Sequence, residues 1–564
     1  MKNKITVNLK GYMCGYSKLA RSTVKGGMFY LIDTATGFPV YSGLLGEPVY
    51  DKDSGDMVRI ADFSDFNKTG KYFIKVGFRR SLDFEISLNP YDSLFVSSLS
   101  AIHTNRCGYQ PTAYTILYQK HFRHQPCHRV RLELNGVMTD VSGGWHCGGG
   151  YDRDTCAVIL TLANLLYSMK LFPKSFTGEN RAAVAAECRW GLKYILKLQN
   201  TSDGSVCDGI FSEKKPSAFS QPPEEDGESY APAGCSCVTA LRFAAVCALA
   251  AVLFRADQNF AKRLAGAANL AWLYVCSTEE YASYRGRLGG TSEDGTPGPL
   301  ESDFMWCVCE MYNMTGISDF LDVIVSKYAY SGFTGFGDPM TGSYAALAYI
   351  LSSRRKELFV DTFIRRRLTE YANRLCLACS ANPYGVPCES TGGYAFGTAY
   401  RVAGSAQSLI LAYLISGDDR YLKDVLGCTS YLFGSNPCAR AFVTGNERGF
   451  VHSPHHRLSA FLQSDECVEG MAVSGPDSES TDVYTSWVLN HDDPPALCYA
   501  DDLFSEATNE PSVPFTASLI FIWAFFRDVG QSALRRSTSP FTLYWKNLED
   551  RAQEERGNTP SNQL

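Results

Sequence analysis

Twelve apolar stretches with helical periodicity constrain the fold of this 564-residue chain more than any other feature of its sequence. They are too apolar to be solvated rods, so they must pack on one another. Loops rich in glycine, proline and serine separate them, which fits six helical hairpins arranged as an α/α toroid. The absence of a fixed-period repeat leaves an α-solenoid open as the other arrangement. The stretches are residues 92–102, 155–172, 181–200, 236–255, 258–276, 301–315, 318–331, 341–352, 356–379, 401–416, 419–434 and 514–527.

The first 88 residues have a different pattern, which predicts a small β-sandwich. Six or seven short segments rich in Val, Ile, Phe and Tyr are separated by turn residues, and Leu82, Phe84 and Ile86 alternate onto one face. We therefore predict a multidomain chain with a sandwich over residues 1–88 and a helical domain over residues 92–534. The polar residues 535–564 are predicted to be a loosely held tail.

Charge and composition exclude several partners. A net charge of −6 and a pI near 5.9 argue against nucleic acid, whose phosphates need a basic surface. No uninterrupted apolar run approaches the ~20 residues of a membrane helix. The N-terminus lacks the apolar run of a secretory signal, so we expect a cytoplasmic protein whose twenty cysteines are reduced. Nothing in the sequence indicates the oligomeric state.

The stretch DVSGGWHCGGGYDRD at residues 140–154 is unusually rich in glycine. Glycine costs about 1 kcal/mol per residue inside a helix, so these glycines do not serve a packed helix. They indicate backbone that is held close to another group.

Four metal-binding side chains lie near this stretch. Cys107, Cys127, His128 and His146 fall within 40 residues, and two thiolates with two imidazoles satisfy tetrahedral zinc. Their spacing is not that of a zinc finger. The alternative is a pair of reduced cysteines with two solvated or core histidines.

Two segments near the C-terminus carry candidate binding and catalytic groups. His455, His456 and Arg457 follow a proline in a loop and offer hydrogen-bond donors to a polyhydroxylated or anionic ligand. The alternative is a solvated basic loop. Glu510 precedes an apolar helix, where partial desolvation would raise its pKa and suit a general acid. The alternative is an ordinary glutamate that favours the helix dipole.

Together these segments resemble glycoside hydrolase family 9, in the subgroup with an N-terminal immunoglobulin-like domain. The resemblance runs in family order over nearly the whole chain, through ITVNLKGY, DFSDFNKTGKYFIKVG, DVSGGW, CSCVTALRFAAVCALAA, SNPCARAFVTGN, PHHR and TNE. It implies an Ig-like β-sandwich followed by an (α/α)6 barrel. It also implies inverting cleavage of β-glycosidic bonds, mostly in β-1,4-glucans, by one carboxylic acid and one carboxylate that activates water.

The resemblance also assigns roles to the candidate residues. Glu510 matches the family's general acid, and the predicted sugar contacts are Trp145, His455, His456 and Arg457. The four residues Cys107, Cys127, His128 and His146 match a structural zinc site of the subgroup. Calcium becomes a candidate second ion, with no ligands assigned.

One departure from the family pattern affects the chemistry. Cys147 and Gly150 stand where the family carries the two aspartates that hold and activate water, and an unperturbed thiol pKa of about 8.5 makes cysteine a poor base. Four interpretations remain open. Asp152 or Asp154 substitutes as the base, external phosphate attacks instead, the protein binds oligosaccharide without cleaving it, or it is a decayed paralogue.

We therefore predict a carbohydrate-active protein that acts on β-1,4-linked glucan or related oligosaccharides with weakened or altered catalysis. Its enzyme class would be an O-glycosyl hydrolase of the endoglucanase or cellodextrinase type. The alternatives are a non-catalytic oligosaccharide-binding pseudoenzyme and a phosphorylase. The sequence does not indicate the preferred linkage or whether cleavage is endo or exo.

Overall fold

The structure is a computed structural model. It describes residues 4–108, 131–134, 137–214, 219–221, 223–286, 299–337, 340–388, 393–462, 467–479, 482–489 and 492–533. The predicted tail at 535–564 and the candidate zinc ligands Cys127 and His128 lie outside the described residues.

The N-terminal part of the chain is a β-sandwich. One sheet has four strands in the order β1-β3-β7-β6, and the other has the order β2-β10-β8-β4-β5 with β9 beside β8. Strand β8 shows why the sequence folds this way, because Tyr72, Ile74 and Val76 are buried while Lys71 and Lys75 are exposed. The strands are β1 Ile5–Thr6, β2 Tyr12–Met13, β3 Leu19–Ser22, β4 Met28–Asp33, β5 Pro39–Leu44, β6 Val49–Asp51, β7 Asp56–Asp62, β8 Gly70–Val76, β9 Arg79–Arg80 and β10 Phe84–Ser87.

The rest of the described chain is mainly helical, and each of the twelve predicted stretches coincides with a helix. Those helices are α1 Asp92–Thr104, α2 Thr155–Leu171, α3 Gly178–Ile195, α4 Cys237–Leu253, α5 Gln258–Ser277, α7 Pro299–Thr315, α8 Ser318–Lys327, α9 Gly342–Ile350, α10 Leu358–Ala381, α11 Thr398–Ser416, α12 Asp419–Leu432 and α16 Val513–Ala533. The shorter helices are α6 Glu279–Gly286, α13 Arg457–Phe461, α14 Val483–Val488 and α15 Glu506–Asn509. The short strands are β11 Arg131–Leu134, β12 Val137–Asp140, β13 Arg153–Asp154, β14 Gly209–Ser212, β15 Tyr230–Pro232, β16 Ala472–Val473 and β17 Pro511–Ser512.

The long helices alternate between an inner and an outer ring. Helices α2, α4, α7, α9, α11 and α16 are buried over most of their length, and they contact one another in the order α9, α7, α4, α2, α16 and α11. Helix α4, with the sequence CVTALRFAAVCALAAVL, shows the cause, since a helix that is apolar on every side must be enclosed. The outer helices bury one face only, as α10 does through Val360, Ile364 and Leu368. This alternation is an (α/α)6 barrel.

Polar side chains cross the centre of the barrel between inner helices. The Asn164 Oδ1 on α2 accepts hydrogen bonds from Gln407 Nε2 on α11 at 2.8 Å and from the Tyr344 hydroxyl on α9 at 3.2 Å. The Tyr167 hydroxyl on α2 donates to Glu310 Oε1 on α7 at 2.5 Å. We call these five residues the axial network. It ties α2 to three other inner helices.

Helix α16 is the one described helix that is long and apolar enough to cross a membrane. Its window Val513–Gly530 is 83% buried inside the fold. That burial is typical of the core helix of a helical barrel, and α16 packs against α1, α2 and α11.

The sandwich rests on the barrel through buried polar contacts. The guanidinium of Arg21, on β3, is buried and donates to the carbonyls of Pro383 at 2.9 Å and Tyr384 at 3.3 Å. The backbone N–H of Leu9 donates to the carbonyl of Phe433 at 2.8 Å. The two domains are therefore held in one fixed relation.

No disulfide links any two of the nineteen cysteines that the structure describes. Several of them lie deep in inner helices, including Cys247 on α4 and Cys307 on α7, where burial raises the pKa of each thiol. These cysteines act as small apolar side chains.

Candidate active site

The glycine-rich loop at residues 143–152 forms one wall of the candidate site. A hydrogen bond from the Cys147 N–H to the Asp152 carbonyl at 3.1 Å closes the loop. Near the start of the loop, Trp145 forms an antiparallel β-bridge with Arg106. The position of the loop places residues 147–150 against the segment that carries Glu510.

Two glycines allow this close approach. A Cβ at Gly148 would lie 2.6 Å from Glu510 Oε1, and a Cβ at Gly149 would lie 2.2 Å from the carbonyl oxygen of His455. Any side chain at either position would displace the acid or the histidine segment. The group that the loop was predicted to approach is therefore Glu510 with its neighbours.

Hydrogen bonds fix both the backbone carbonyl and the side-chain carboxyl of Glu510. It ends helix α15, and its own carbonyl accepts hydrogen bonds from the Tyr400 hydroxyl at 2.8 Å and from the Ser474 N–H at 3.0 Å. Its side-chain Oε1 accepts the Gly149 N–H at 3.0 Å. These contacts fix the carboxyl at the edge of the glycine-rich loop.

Burial raises the pKa of Glu510 to about 7, although the Gly149 N–H opposes the shift. The negative charges of Glu506 and Asp152 add to the increase. A carboxyl with this pKa keeps its proton near neutral pH, which is what a general acid requires. The geometry therefore agrees with the role predicted for Glu510.

Cys147 and Gly150, the two positions at which the sequence predicts a lost aspartate, differ from each other in the structure. The Cys147 thiol donates toward the carbonyls of Trp145 at 3.3 Å and Asp154 at 3.6 Å, and burial raises its pKa. It is neutral and cannot act as a base near pH 7. A Cβ added at Gly150 would meet no atom within 4 Å. The second base position is thus open space.

The two candidate substitute bases are in different situations. Asp154 is the N-cap of α2, with Oδ1 accepting the Ala157 N–H at 2.7 Å, so this oxygen is engaged by the helix, and its role as a base stays a prediction. Asp152 accepts the Ser212 N–H at 2.7 Å. Burial raises the pKa of Asp152 and the charge of Arg457 opposes that shift. Asp152 is the remaining carboxylate that acts electrostatically on Glu510 from the glycine-rich loop.

His455 and Arg457 lie beside Glu510 through backbone contacts. The His455 N–H donates to the Asn509 carbonyl at 3.0 Å, and the Arg457 N–H donates to the Gly149 carbonyl at 2.9 Å. The Nδ1 of His455 faces the carbonyl of Leu503 at 2.7 Å. Because a carbonyl only accepts, Nδ1 carries the proton and Nε2 is the acceptor in the neutral ring.

A segment missed by sequence reasoning covers both residues. We call residues 219–221 and 223–230 the covering segment. The Phe219 ring lies 4.4 Å from the His455 ring, between centroids, with the planes tilted by 35°. Asp226 Oδ1 accepts a hydrogen bond from Arg457 Nη2 at 3.1 Å, and the side chains of this ion pair are 0% and 1% exposed, respectively. The Arg457 charge is therefore neutralised inside the protein.

The covering segment is secured by two tyrosines. The Tyr230 hydroxyl donates to Asp226 Oδ2 at 2.6 Å, and the Tyr151 hydroxyl donates to the Gln221 carbonyl. The Arg457 guanidinium also lies over the Tyr151 ring at 4.5 Å. Asp226 is 231 residues before Arg457 in the chain, so no local pattern could have joined them.

Two of the predicted sugar contacts, Trp145 and His456, have buried side chains in this structure. Trp145 is 0% exposed, and its Nε1 donates to Glu187 Oε2 at 3.2 Å beneath the loop. His456 is also fully buried, where it caps α13 and its ring contacts the Ser459 hydroxyl at 2.9 Å. Both residues are polar-ended core side chains that orient the loop and the histidine segment.

Two of the four predicted zinc ligands are described. Asn105 and Cys107 flank Arg106, and the antiparallel bridge from Arg106 to Trp145 puts Cys107 and His146 on the same face as diagonal neighbours. Both side chains are buried. Within the described ranges no three His, Cys, Asp or Glu residues form a metal-binding group. The zinc site stays a prediction because Cys127 and His128 lie outside those ranges.

A β-sandwich followed by an (α/α)6 barrel, with a protonated glutamate facing a glycine-rich loop, defines the scaffold of a glycoside hydrolase. The chain belongs to glycosyl hydrolase family 9, whose defining residue pattern matches residues 91–523. Residues 1–81 match the cellulase N-terminal ig-like domain. This membership confirms the predicted family and fold class, and it supports the predicted class of O-glycosyl hydrolase.

Comparison with individual proteins agrees with this assignment. The chain is 25% identical over 546 residues to a cellodextrinase of Butyrivibrio fibrisolvens, covering 92% of this chain and 98% of the relative. It is 25% identical over 545 residues to endoglucanase D of Acetivibrio thermocellus, covering 93% and 83%. A crystal structure of a metagenome-derived family 9 endoglucanase has the same fold, with a TM-score of 0.82, 23% identity and coverage of 93% and 99%.

Proposed function

We propose that this protein hydrolyses short β-1,4-linked glucan oligosaccharides slowly, with Glu510 as the general acid and Asp152 as the substitute base. The observation that carries the proposal is the Glu510 carboxyl, which burial keeps protonated near neutral pH beside a loop that still presents a carboxylate. The cellodextrinase and endoglucanase relatives support the substrate class.

The proposed reaction needs two proton transfers. Glu510 gives its proton to the glycosidic oxygen of the leaving sugar, and a water on the opposite face of the ring attacks the anomeric carbon. Asp152 takes a proton from that water. Because burial raises the pKa of Asp152, its carboxylate is a stronger base than an exposed aspartate. Its hydrogen bond from Ser212 limits how far it can reach, which supports slow turnover.

Phosphorolysis is disfavoured by the charges around the site. Arg457, the cation predicted to hold phosphate, is already paired with Asp226. Asp152 and Glu506 add negative charge close to Glu510. A phosphate dianion entering this site would meet the carboxylates of Asp152 and Glu506 and a guanidinium, that of Arg457, which is already paired, so hydrolysis is the better-supported reaction.

Oligosaccharide binding without cleavage is the second candidate. The observation in its favour is the open space at Gly150, which leaves the second water-binding position without a carboxylate.

The decisive experiment measures cleavage of cellopentaose by wild type, Glu510→Gln, Asp152→Asn and Gly150→Asp. Gly150 is not in the left-handed backbone region and has room for a side chain, so an aspartate fits there. Gly150→Asp should raise kcat/KM by about 10²-fold, since a positioned base contributes ~10²–10⁴-fold. Glu510→Gln and Asp152→Asn should each abolish the wild-type activity.

Gly266→Asp on the exposed face of α5 is the matched control and should change nothing. NMR of the first product should show the inverted anomer. Wild-type activity that persists in Asp152→Asn rules out Asp152 as the base. Calorimetric binding of cellopentaose with no turnover by wild type or Gly150→Asp would favour the binding protein.

We also propose one structural zinc ion held by Cys107, Cys127, His128 and His146. The support is the donor set and the placement of buried Cys107 and His146 on one face of the bridge at Trp145. Bound there, zinc would hold the start of the glycine-rich loop against the segment after α1.

A further inference from the structure

Three aromatic side chains form an exposed surface at the rim of the candidate active site. Trp487 and Phe504 are 85% and 62% exposed, and Tyr484 is partly exposed. Tyr484 and Trp487 are three residues apart on α14, which places them on the same helix face. The rings of Tyr484 and Phe504 are 6.1 Å apart, between centroids, with the planes tilted by 46°. We call these three residues the rim platform.

The rim platform is fixed to the segment that carries the acid. Asp482 caps α14 through Oδ1, which accepts the Thr485 N–H at 2.7 Å. Its other oxygen, Oδ2, accepts the Ala507 N–H at 2.7 Å, on the helix that ends at Glu510. One carboxylate thus joins α14 to α15, so the platform keeps its position relative to Glu510.

The platform is also continuous with the predicted sugar-binding side of the site. Phe504 follows Leu503, whose carbonyl oxygen lies 2.7 Å from His455 Nδ1. Phe504 thus lies next to the residue that contacts His455, its ring neighbours Tyr484, and Trp487 follows Tyr484 by one turn of α14. Asp502 interacts with the Tyr484 hydroxyl and raises its pKa.

We propose that the rim platform is an outer subsite that binds the glucosyl units of a β-1,4-linked oligosaccharide beyond those held next to Glu510. This inference rests on the proposed function. The C–H groups on the two faces of a β-linked glucosyl ring suit the face of an aromatic ring, and carboxylates such as Asp502 accept hydrogen bonds from sugar hydroxyls. Trp487 supplies the largest exposed ring and determines the preference for longer chains.

The experiment compares the binding of cellobiose and cellohexaose by calorimetry in the full chain carrying Glu510→Gln, which prevents turnover. Trp487→Ala in that background should weaken cellohexaose binding by about tenfold and leave cellobiose binding unchanged, as expected for one lost stacking contact. Phe78→Ala is the matched control, because Phe78 is an exposed ring on the sandwich far in sequence from the site. It should alter neither affinity. Since Trp487 is mostly exposed, its variant should keep the wild-type Tm.

The outcomes separate the two proposals. Equal loss or no loss for the two sugars in Trp487→Ala overturns the outer subsite while cellobiose binding still supports the proposed function. Failure of both sugars to bind before the tryptophan is changed contradicts the proposed function itself. Analytical ultracentrifugation without sugar gives the third outcome. If the wild-type chain is a dimer and Trp487→Ala is a monomer, the platform binds a second copy of the chain and the proposal is overturned.

Discussion

At the residue scale, Glu510 is the candidate catalytic group on which the sequence and the structure agree most closely. Glu510 is recognisable from sequence because Thr-Asn-Glu precedes an apolar helix, and the structure gives it the expected raised pKa. The residues at the two positions predicted to have lost an aspartate, Cys147 and Gly150, are also read directly from the sequence. The sequence could not show that the Cys147 thiol is half-buried and neutral or that the space beside Gly150 is open, since both depend on groups brought together by folding.

The pKa of Glu510 predicts how activity and stability depend on pH. Its acid form is lost above pH 7, so kcat/KM for cellopentaose should fall about tenfold per pH unit there. The folded chain binds more protons than the unfolded chain between about 4.5 and 7, so this group's contribution to stability falls as pH rises through that window. The free energy of unfolding of Glu510→Gln, measured in urea, should therefore rise relative to that of wild type between about pH 4.5 and 7. The difference between the two should stay constant above about pH 7. A constant difference across that range would contradict the raised pKa.

Cys147→Asp should fail to restore activity, in contrast to Gly150→Asp. The thiol faces the carbonyls of Trp145 and Asp154. A carboxylate has no proton to donate to them and would be repelled in a buried position. We expect no gain in cellopentaose cleavage and a lower Tm by differential scanning fluorimetry. Cys147→Ser, which can still donate, is the control and should unfold near the wild-type temperature.

At the element scale, helix positions follow from the sequence and the contacts between loops do not. The twelve helices were predictable because apolar periodicity reports burial directly, as in α4. The sandwich has ten strands where the sequence predicted six or seven, because two-residue strands such as β2 and β9 carry no readable alternation. The covering segment was missed for another reason, since its contacts with His455 and Arg457 join residues more than 200 positions apart.

The ion pair inside the covering segment should be important for stability. Asp226→Ala leaves the buried Arg457 charge unpaired, which typically costs about 3–5 kcal/mol. The measurement is chemical denaturation monitored by tryptophan fluorescence. Glu370→Ala is the matched control, because its pairs with Arg366 and Arg367 lie on an exposed face of α10 and contribute little to the free energy of unfolding. Similar losses in the two variants would show that Asp226 is not needed to neutralise Arg457.

The zinc proposal belongs to the connection between α1 and the glycine-rich loop. Freshly purified protein should contain about one zinc per chain by elemental analysis, and His146→Ala should lose it and lower the Tm. Cys235→Ser is the control, because Cys235 is exposed and outside the predicted ligand set. Zinc-free wild-type protein, purified without chelators, would refute the site.

At the scale of the whole molecule, the sandwich and the barrel should unfold as one cooperative unit. Arg21 on the sandwich donates to two barrel carbonyls from a buried position. Arg21→Ala should lower the Tm in calorimetry and separate the sandwich from the barrel transition, because charged hydrogen bonds are worth about 1.5–3 kcal/mol each. Arg59→Ala, which removes an exposed bond to the Gly46 carbonyl, should leave a single transition. A wild-type trace with two transitions would contradict the fixed relation of the domains.

The axial network explains how the loops of the candidate site can change in sequence while the barrel keeps its fold. A slip of α2 by one turn would strand the amide of Asn164 and the hydroxyl of Tyr167 without partners inside the barrel, which makes competing helix registers costly. The register of the inner helices is thus specified by the axial network, independently of the loops that form the candidate site. Selection can replace residues in those loops, one catalytic group or one aromatic ring at a time, without endangering the architecture that presents them.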